Sequence, residues 1–176
     1  MKSKIYITGA AGFIGFHTAK KFLDKGIKVH GFDSINNYYD VRLKINRLNI
    51  LKKYKNFSFT KGLLENQKLL NKSVLKFKPI IMIHLAAQAG VRYSIGNPDA
   101  YLSSNIMGTF NVIKIANKIK VKHLIIGSSS SVYGANKKIP FLETDKTDHQ
   151  VSFYAATKKS AESLAHSYSS LWKLPI

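Results

Sequence analysis

ITGAAGFIG, residues 7–15, places three glycines, Gly9, Gly12 and Gly15, at every third position and runs at once into FHTAKKFLDKG. Glycine is costly inside regular structure, so this density needs a physical reason. Two reasons stand open: a ligand that must come very close to the backbone, or plain turn chemistry. The flanks supply context. KIYITG (4–9) is a short apolar strand. FIGFHTAKKFLDKG (13–26) sets Ile14, Phe16, Phe22 and Leu23 on one helical face and closes on Gly26. The motif is therefore a strand–turn–helix.

The alternation continues outward. IKVHGFD (27–33) is a second strand ending at Asp33, followed by a polar-aromatic loop and a helix through about Tyr54. NFSFTKG is a third strand and 65–77 a helix. PIIMIHLAA (79–87) is apolar throughout, as a parallel strand covered on both faces must be. A long helix spans 97–119, a fifth strand 121–130 and a long helix 151–173. Strand and helix in strict alternation specify an α/β fold, a Rossmann-type doubly wound parallel sheet of about five strands. Ligands in such sheets bind beyond the carboxyl ends of the strands. Gly9, Asp33, His84–Ala87 and Gly127–Ser131 fall there.

Composition narrows the class. The 176 residues suffice for one domain with a core, and 45% hydrophobic content excludes a disordered chain. There is no cysteine, so disulfides and thiolate metal sites are excluded. The six histidines lack metal-ligand spacing, so no metal is expected, and His84 reads as a core histidine. The start, MKSKIYITGA, is not a signal peptide, and PIIMIHLAA is too short to span a membrane. A cytoplasmic protein follows as the expectation. The formal charge of +19 raises nucleic acid as a partner. The lysines, however, are spread along the whole chain, which reads as a solvated surface rather than a binding footprint.

A strand, glycine turn and helix followed by a second strand ending in an acid is a dinucleotide unit. The pyrophosphate would sit at the helix N-terminus. Asp33 would accept from the adenosine ribose hydroxyls and repel a 2′-phosphate, favouring NAD over NADP. In YAATK, Tyr154 and Lys158 stand four apart on a helix and share a face. A nearby ammonium lowers a phenol's pKa, which would let tyrosine act as a base. GSSSSVYG puts four serines at the end of an apolar strand, where hydroxyls lining a ligand site make sense. A serine hydrolase fits poorly, because the G-x-S-x-G elbow is missing.

Together TGAAGFIG, FDSINNYYDVRLK, HLAAQAGVRYS, GSSSSVYGANKKIPF and YAATKKSAE resemble the extended short-chain dehydrogenase/reductase family, and within it the nucleotide-sugar epimerases of the UDP-glucuronate 4-epimerase type. The resemblance runs in order along essentially the whole chain. It implies that Gly9, Gly12 and Gly15, with Phe13 and Ile14, hold the cofactor pyrophosphate. Asp33 and Asn37 would hold the adenosine side, Ala86 and Ala87 pass the cofactor, and Asn105 support the site. Tyr154 would be the base, Lys158 the residue that binds the nicotinamide ribose and tunes Tyr154, and Ser129 the catalytic hydroxyl. Sugar 4,6-dehydratases of the family carry an acid pair just after that serine. Ser130 and Ser131 stand there instead, which argues against dehydration and suits a uronate carboxylate. Arg92 meets an anionic substrate or a loop carboxylate.

The implied reaction is oxidation at C4 of a UDP-sugar, UDP-glucuronate above all, rotation of the keto sugar and hydride return, with NAD regenerated each cycle. Two departures stand out. After the third strand the family usually has Gly-Asp, and this chain reads Gly62-Leu63. The sequence also resembles only the N-terminal half of such enzymes, so 1–176 is expected to be a truncated NAD-binding domain, inactive alone, lacking further strands and a substrate domain. A homodimer through 97–119 and 151–173 is implied. UDP-glucose 4-epimerase, a dehydratase, an NAD-binding module without catalysis, and a nucleic-acid binder remain as alternatives.

Overall fold

In the computed structural model, which describes residues 4–176, five parallel strands form one sheet in the order β3-β2-β1-β4-β5. They are β1 (Lys4–Thr8), β2 (Lys28–Asp33), β3 (Phe57–Lys61), β4 (Ile81–His84) and β5 (His123–Ile126). Helices α1 (Phe13–Asp24), α2 (Val41–Lys52) and α3 (Gln67–Phe77) alternate with the first four strands. Short α4 (Tyr93–Gly96) and α5 (Pro98–Tyr101) precede α6 (Gly108–Lys118), and α7 (Phe153–Trp172) follows β5. The order grows outward from β1 in both directions, so the switch point lies between β1 and β4.

Pleating divides the core. Ile5 and Ile7 of β1 face one way, into a cluster with Phe16, Ala19, Leu23 and Leu51 of α1 and α2. Tyr6 faces the other way, into a cluster with Leu70, Val74, Val112 and Ile113 of α3 and α6. Both faces are covered, which is why central β1 and β4 carry no polar alternation, whereas β3, at the sheet edge, alternates as FSFTK. Among the described residues no helix is long and apolar enough to cross a membrane.

The segment 97–119 departs from the single helix expected of it. Between α5 and α6 the chain forms a π-helical turn, Leu102–Met107. Hydrophobic spacing carries no signal for the extra residue of a π turn. Its cause is tertiary: Asn105 is fixed by partners outside the helix, and Gly108 sits so close to Leu64 that a methyl there would come within 2.7 Å of the Leu64 Cβ.

Two buried histidines tie the sheet together as neutral rings. His84 reaches Thr8 Oγ1 through Nδ1 at 2.7 Å and Thr109 Oγ1 through Nε2 at 2.9 Å, joining β1, β4 and α6. His84 is thus the satisfied core histidine that its apolar strand implied. His30 meets Ser58 and Thr60 of β3 and stacks on Tyr6. Burial, reinforced by the Lys158 charge, pushes His84 down to about 3. Burial, with Lys76, pushes His30 down to about 4. The native state therefore binds fewer protons than the unfolded chain, and this contribution is complete above 6.5 and lost as pH falls toward those values. Urea unfolding at pH 7, 6 and 5 is expected to show stability falling on acidification, by up to about 1.4 kcal/mol per pH unit for each ring. His30→Gln should remove its share of that slope, and a flat profile would contradict the neutral-ring reading.

Candidate functional site

The glycine turn is built by close approach. Gly9 has φ +72, and a methyl on it would stand 2.7 Å from Ala86 N. A methyl on Gly15 would stand 2.0 Å from the Gly9 carbonyl oxygen. These two glycines are required by the chain's own packing. Gly12 differs: a methyl there would meet only the Gly9 oxygen, at 3.1 Å, and Gly12 lines a cleft. It is also the N-cap of α1, and no side chain caps that end. The first-turn N–H groups lack intrahelical partners, so the positive end of a twelve-residue helix is left for an anion. A dinucleotide pyrophosphate fits this cradle.

The cleft has a volume of about 260 Å³ and lies over the switch point. It gathers Gly9, Gly12, Asp33, Ala86 and Ala87. Asp33 is buried, and its carboxylate accepts from Ala11 N at 3.0 Å and Ile35 N at 2.9 Å. It therefore anchors the glycine turn as well as facing the cleft. Asn37 is exposed and outside the lining, while its neighbour Asn36 is in it. Asn36 receives Lys44, a buried helix lysine that also lines the cleft. Burial lowers the Lys44 pKa, and the Asp33 charge opposes that. Leu63 and Gly62 line the cleft where the family's acid was missed. Phe13 and Ile14 are exposed on the first turn of α1.

Ser129 follows β5, Lys158 reaches the Gly127 carbonyl just beyond that strand, and Tyr154 lies one turn earlier on α7 with its ring against Tyr101; none of the three lines the cleft. Ser152 caps α7 by accepting from Ala155 N, and Ser94 accepts from Tyr154 N at 3.2 Å. The Lys158 ammonium is buried and donates to the Gly127 carbonyl. Burial pulls the Lys158 pKa down, and Glu162 one turn on pushes it back up. The four serines do not all face a ligand. Ser128 donates to Glu162 at 2.6 Å, and Ser129 accepts from Ser131 N, capping a 3-10 turn over Ser130–Tyr133. Ser130 is exposed, Ser131 half-buried, and Arg92 exposed ahead of α4. Among the described residues no group of three His, Asp or Glu side chains could hold a metal ion.

Asn105 joins the two regions. Its amide accepts from Gln88 N at 2.7 Å and donates to Gln88 O at 3.0 Å and Thr157 Oγ1 at 3.1 Å. Thr157 donates to the Tyr154 carbonyl. The loop after β4 is thereby locked to the turn of α7 that carries Tyr154. Sequence reading missed Gln88, Thr157, Ser94 and Lys44. Thr157 and Lys44 stood out only as polar residues inside helices, while Gln88, in the loop after β4, and Ser94, in a four-residue helix, carried no periodic signal.

Comparison with known proteins agrees with this geometry. The family model described as GDP-mannose 4,6 dehydratase matches residues 6–176. The chain is 50% identical over 169 residues to a probable UDP-glucuronate 4-epimerase of Rhizobium meliloti (strain 1021), covering 96% of this chain and 50% of that protein. It is 52% identical over 172 residues to protein CapI of Staphylococcus aureus, covering 98% and 51%. The fold is similar to the crystal structure of the Bacillus cereus UDP-glucuronic acid 4-epimerase in complex with UDP-glucuronic acid and NAD. That likeness has a TM-score of 0.90 at 34% identity, over 98% of this chain and 54% of that one. The chain spans about half the length of the relatives it matches.

Two outcomes check the local geometry. Gly15→Ala forces a methyl into backbone and should destabilise by about 3 kcal/mol or more, whereas Gly12→Ala should stay within about 1 kcal/mol, by denaturant unfolding. Asn105→Ala strips partners from two buried backbone groups and should cost on the order of 3 kcal/mol in the same assay.

Proposed function

The chain belongs to the GDP-mannose 4,6 dehydratase family, and from that premise we propose that it is the NAD-binding portion of a UDP-sugar 4-epimerase acting on UDP-glucuronate. The observation that carries this reading is the single cleft lined by Gly9, Gly12, Asp33, Ala86 and Ala87 beside an uncapped helix N-terminus. The relatives named for UDP-glucuronate support the substrate.

When bound, NAD supplies a hydride acceptor and then a hydride donor at the sugar C4. The uncapped N-terminus of α1 binds the pyrophosphate and Asp33 the adenosine ribose. Tyr154 is the base: its phenolate oxygen takes the proton of the C4 hydroxyl and later returns it. Lys158 stands one turn along α7 and would bind the nicotinamide ribose. Ser129 already accepts from Ser131 N, so its own proton is left to donate to the sugar oxygen. Ser130 and Ser131 offer hydroxyls and Arg92 a cation for the uronate carboxylate. With no acid pair at Ser130 and Ser131 to carry proton transfer, epimerisation is favoured over dehydration. A second copy would pack on the groove between the π turn and α7, lined by Ile106, Ala156 and Leu164.

Calorimetry tests the cofactor. NAD is expected to bind at least about tenfold tighter than NADP, because a 2′-phosphate would meet the buried Asp33 carboxylate. Asp33→Asn should narrow that ratio, Gly12→Ala should weaken both ligands, and equal affinities in the unaltered chain would overturn the reading. Tyr154→Phe should leave NAD binding intact and abolish any NADH absorbance that appears on adding UDP-glucuronate.

A further inference from the structure

We propose that Tyr38 is a cofactor-retaining residue. The loop after β2 crosses the cleft as a strap, and the seating of Tyr38 on Gly90, in the loop after β4, is its latch. The inference rests on the dinucleotide reading of the cleft and adds a kinetic role to it.

The strap lines the same cleft as the glycine turn, through Ser34, Asn36, Tyr38 and Tyr39. Its root is held by hydrogen bonds. Ile35 N donates to Asp33, and Lys44 Nζ donates to the Asn36 carbonyl at 2.8 Å. Its tip is held by packing. The Tyr38 hydroxyl lies so close to Gly90 that a methyl there would stand 2.4 Å from it, and Gly90 has φ +98, which glycine alone adopts readily. The Tyr38 ring packs on Tyr93 with centroids 4.7 Å apart and on Tyr39 at 4.5 Å.

The receiving loop is itself fixed. The Tyr101 ring is fully buried, and its hydroxyl bonds to the Ala89 and Gly90 carbonyls at 2.7 and 2.6 Å. The Tyr38 latch therefore closes on a rigid seat. A hydrogen-bonded root with a packed tip is a hinge and a latch: the tip releases while the root stays. A dinucleotide lying from Asp33 across Gly12 to Ala86 would share the cleft with Tyr38, and its entry and exit need the latch to open. A cofactor regenerated in place in every cycle has no need to leave, and a closed latch would keep it.

Stopped-flow fluorescence of NADH on the full chain tests this. Tyr38→Ala is expected to raise both association and dissociation rates about tenfold, with the dissociation constant moving less than either rate. Gly90→Ala, which unseats the hydroxyl from the other side, should act in the same direction, and Tyr38→Phe should fall between. A residue that merely supports the fold would not speed association. If Tyr38→Ala does not fold, Gly90→Ala and Tyr38→Phe carry the test. Rates within about twofold of the unaltered chain in the folded variants would overturn the latch alone. No NADH or NAD binding by the unaltered chain would overturn the cofactor reading and the latch with it.

Discussion

The contact between Gly15 and the Gly9 carbonyl is the constraint on which the rest of the structure depends. Helix α1 can lie on the end of β1 only because Gly15 has no Cβ; a methyl would stand 2.0 Å from the Gly9 oxygen. That approach buries Ala10 and Ala11 completely and brings Ala11 N to the Asp33 carboxylate. It also aims the uncapped helix terminus into the space above the switch point. Gly9 closes the other side, against the backbone of Leu85 and Ala86. The loop after β4 is thus pressed onto the glycine turn, and that backbone contact forms the floor of the cleft.

Around that backbone core the buried polar work is done largely by neutral groups. His84 links β1, β4 and α6, and Asn105 links the loop after β4 to α7. Imidazole and amide satisfy buried partners without the desolvation penalty of an ion. The buried charged groups are few, and each meets backbone: Asp33 two N–H groups, Lys44 the Asn36 carbonyl, Lys158 the Gly127 carbonyl. Lys158 gives up solvent for that position. The large positive charge of the chain plays no such part. The ion pairs seen among the described residues are at least partly exposed and contribute little to stability.

Two regions of the fold share one connector. The cleft lies over the ends of β1, β2 and β4, and α7, which carries Tyr154 and Lys158, reaches the Gly127 carbonyl beyond β5. The π turn carries Asn105 to both. An added residue in a helix changes the direction of the side chains that follow, and here it accompanies an amide that bonds the Gln88 backbone and Thr157 at once. Displacing one region displaces the other, so the placement of Tyr154 relative to the cleft is set by packing.

What the sequence determined by itself was the order and type of the elements. Apolar runs without polar alternation, glycines at every third position, and an acid closing the second strand each follow from local stereochemistry and from burial on both sheet faces. These made the parallel sheet, the strand ends as ligand site, and the pairing of Tyr154 with Lys158 on one helical face legible. The tertiary structure decided what each polar group is used for. Four serines in a row are alike as sequence, but Ser128 is bound to Glu162 of α7 and Ser129 caps a turn. Asn36, not Asn37, enters the cleft because Lys44 reaches it from α2. The π turn, the seat of Tyr38 on Gly90 and the double duty of Asp33 are likewise contacts between segments far apart in the chain. Local spacing fixes which way a residue can point, but only the closure of loops onto one another decides what it meets there.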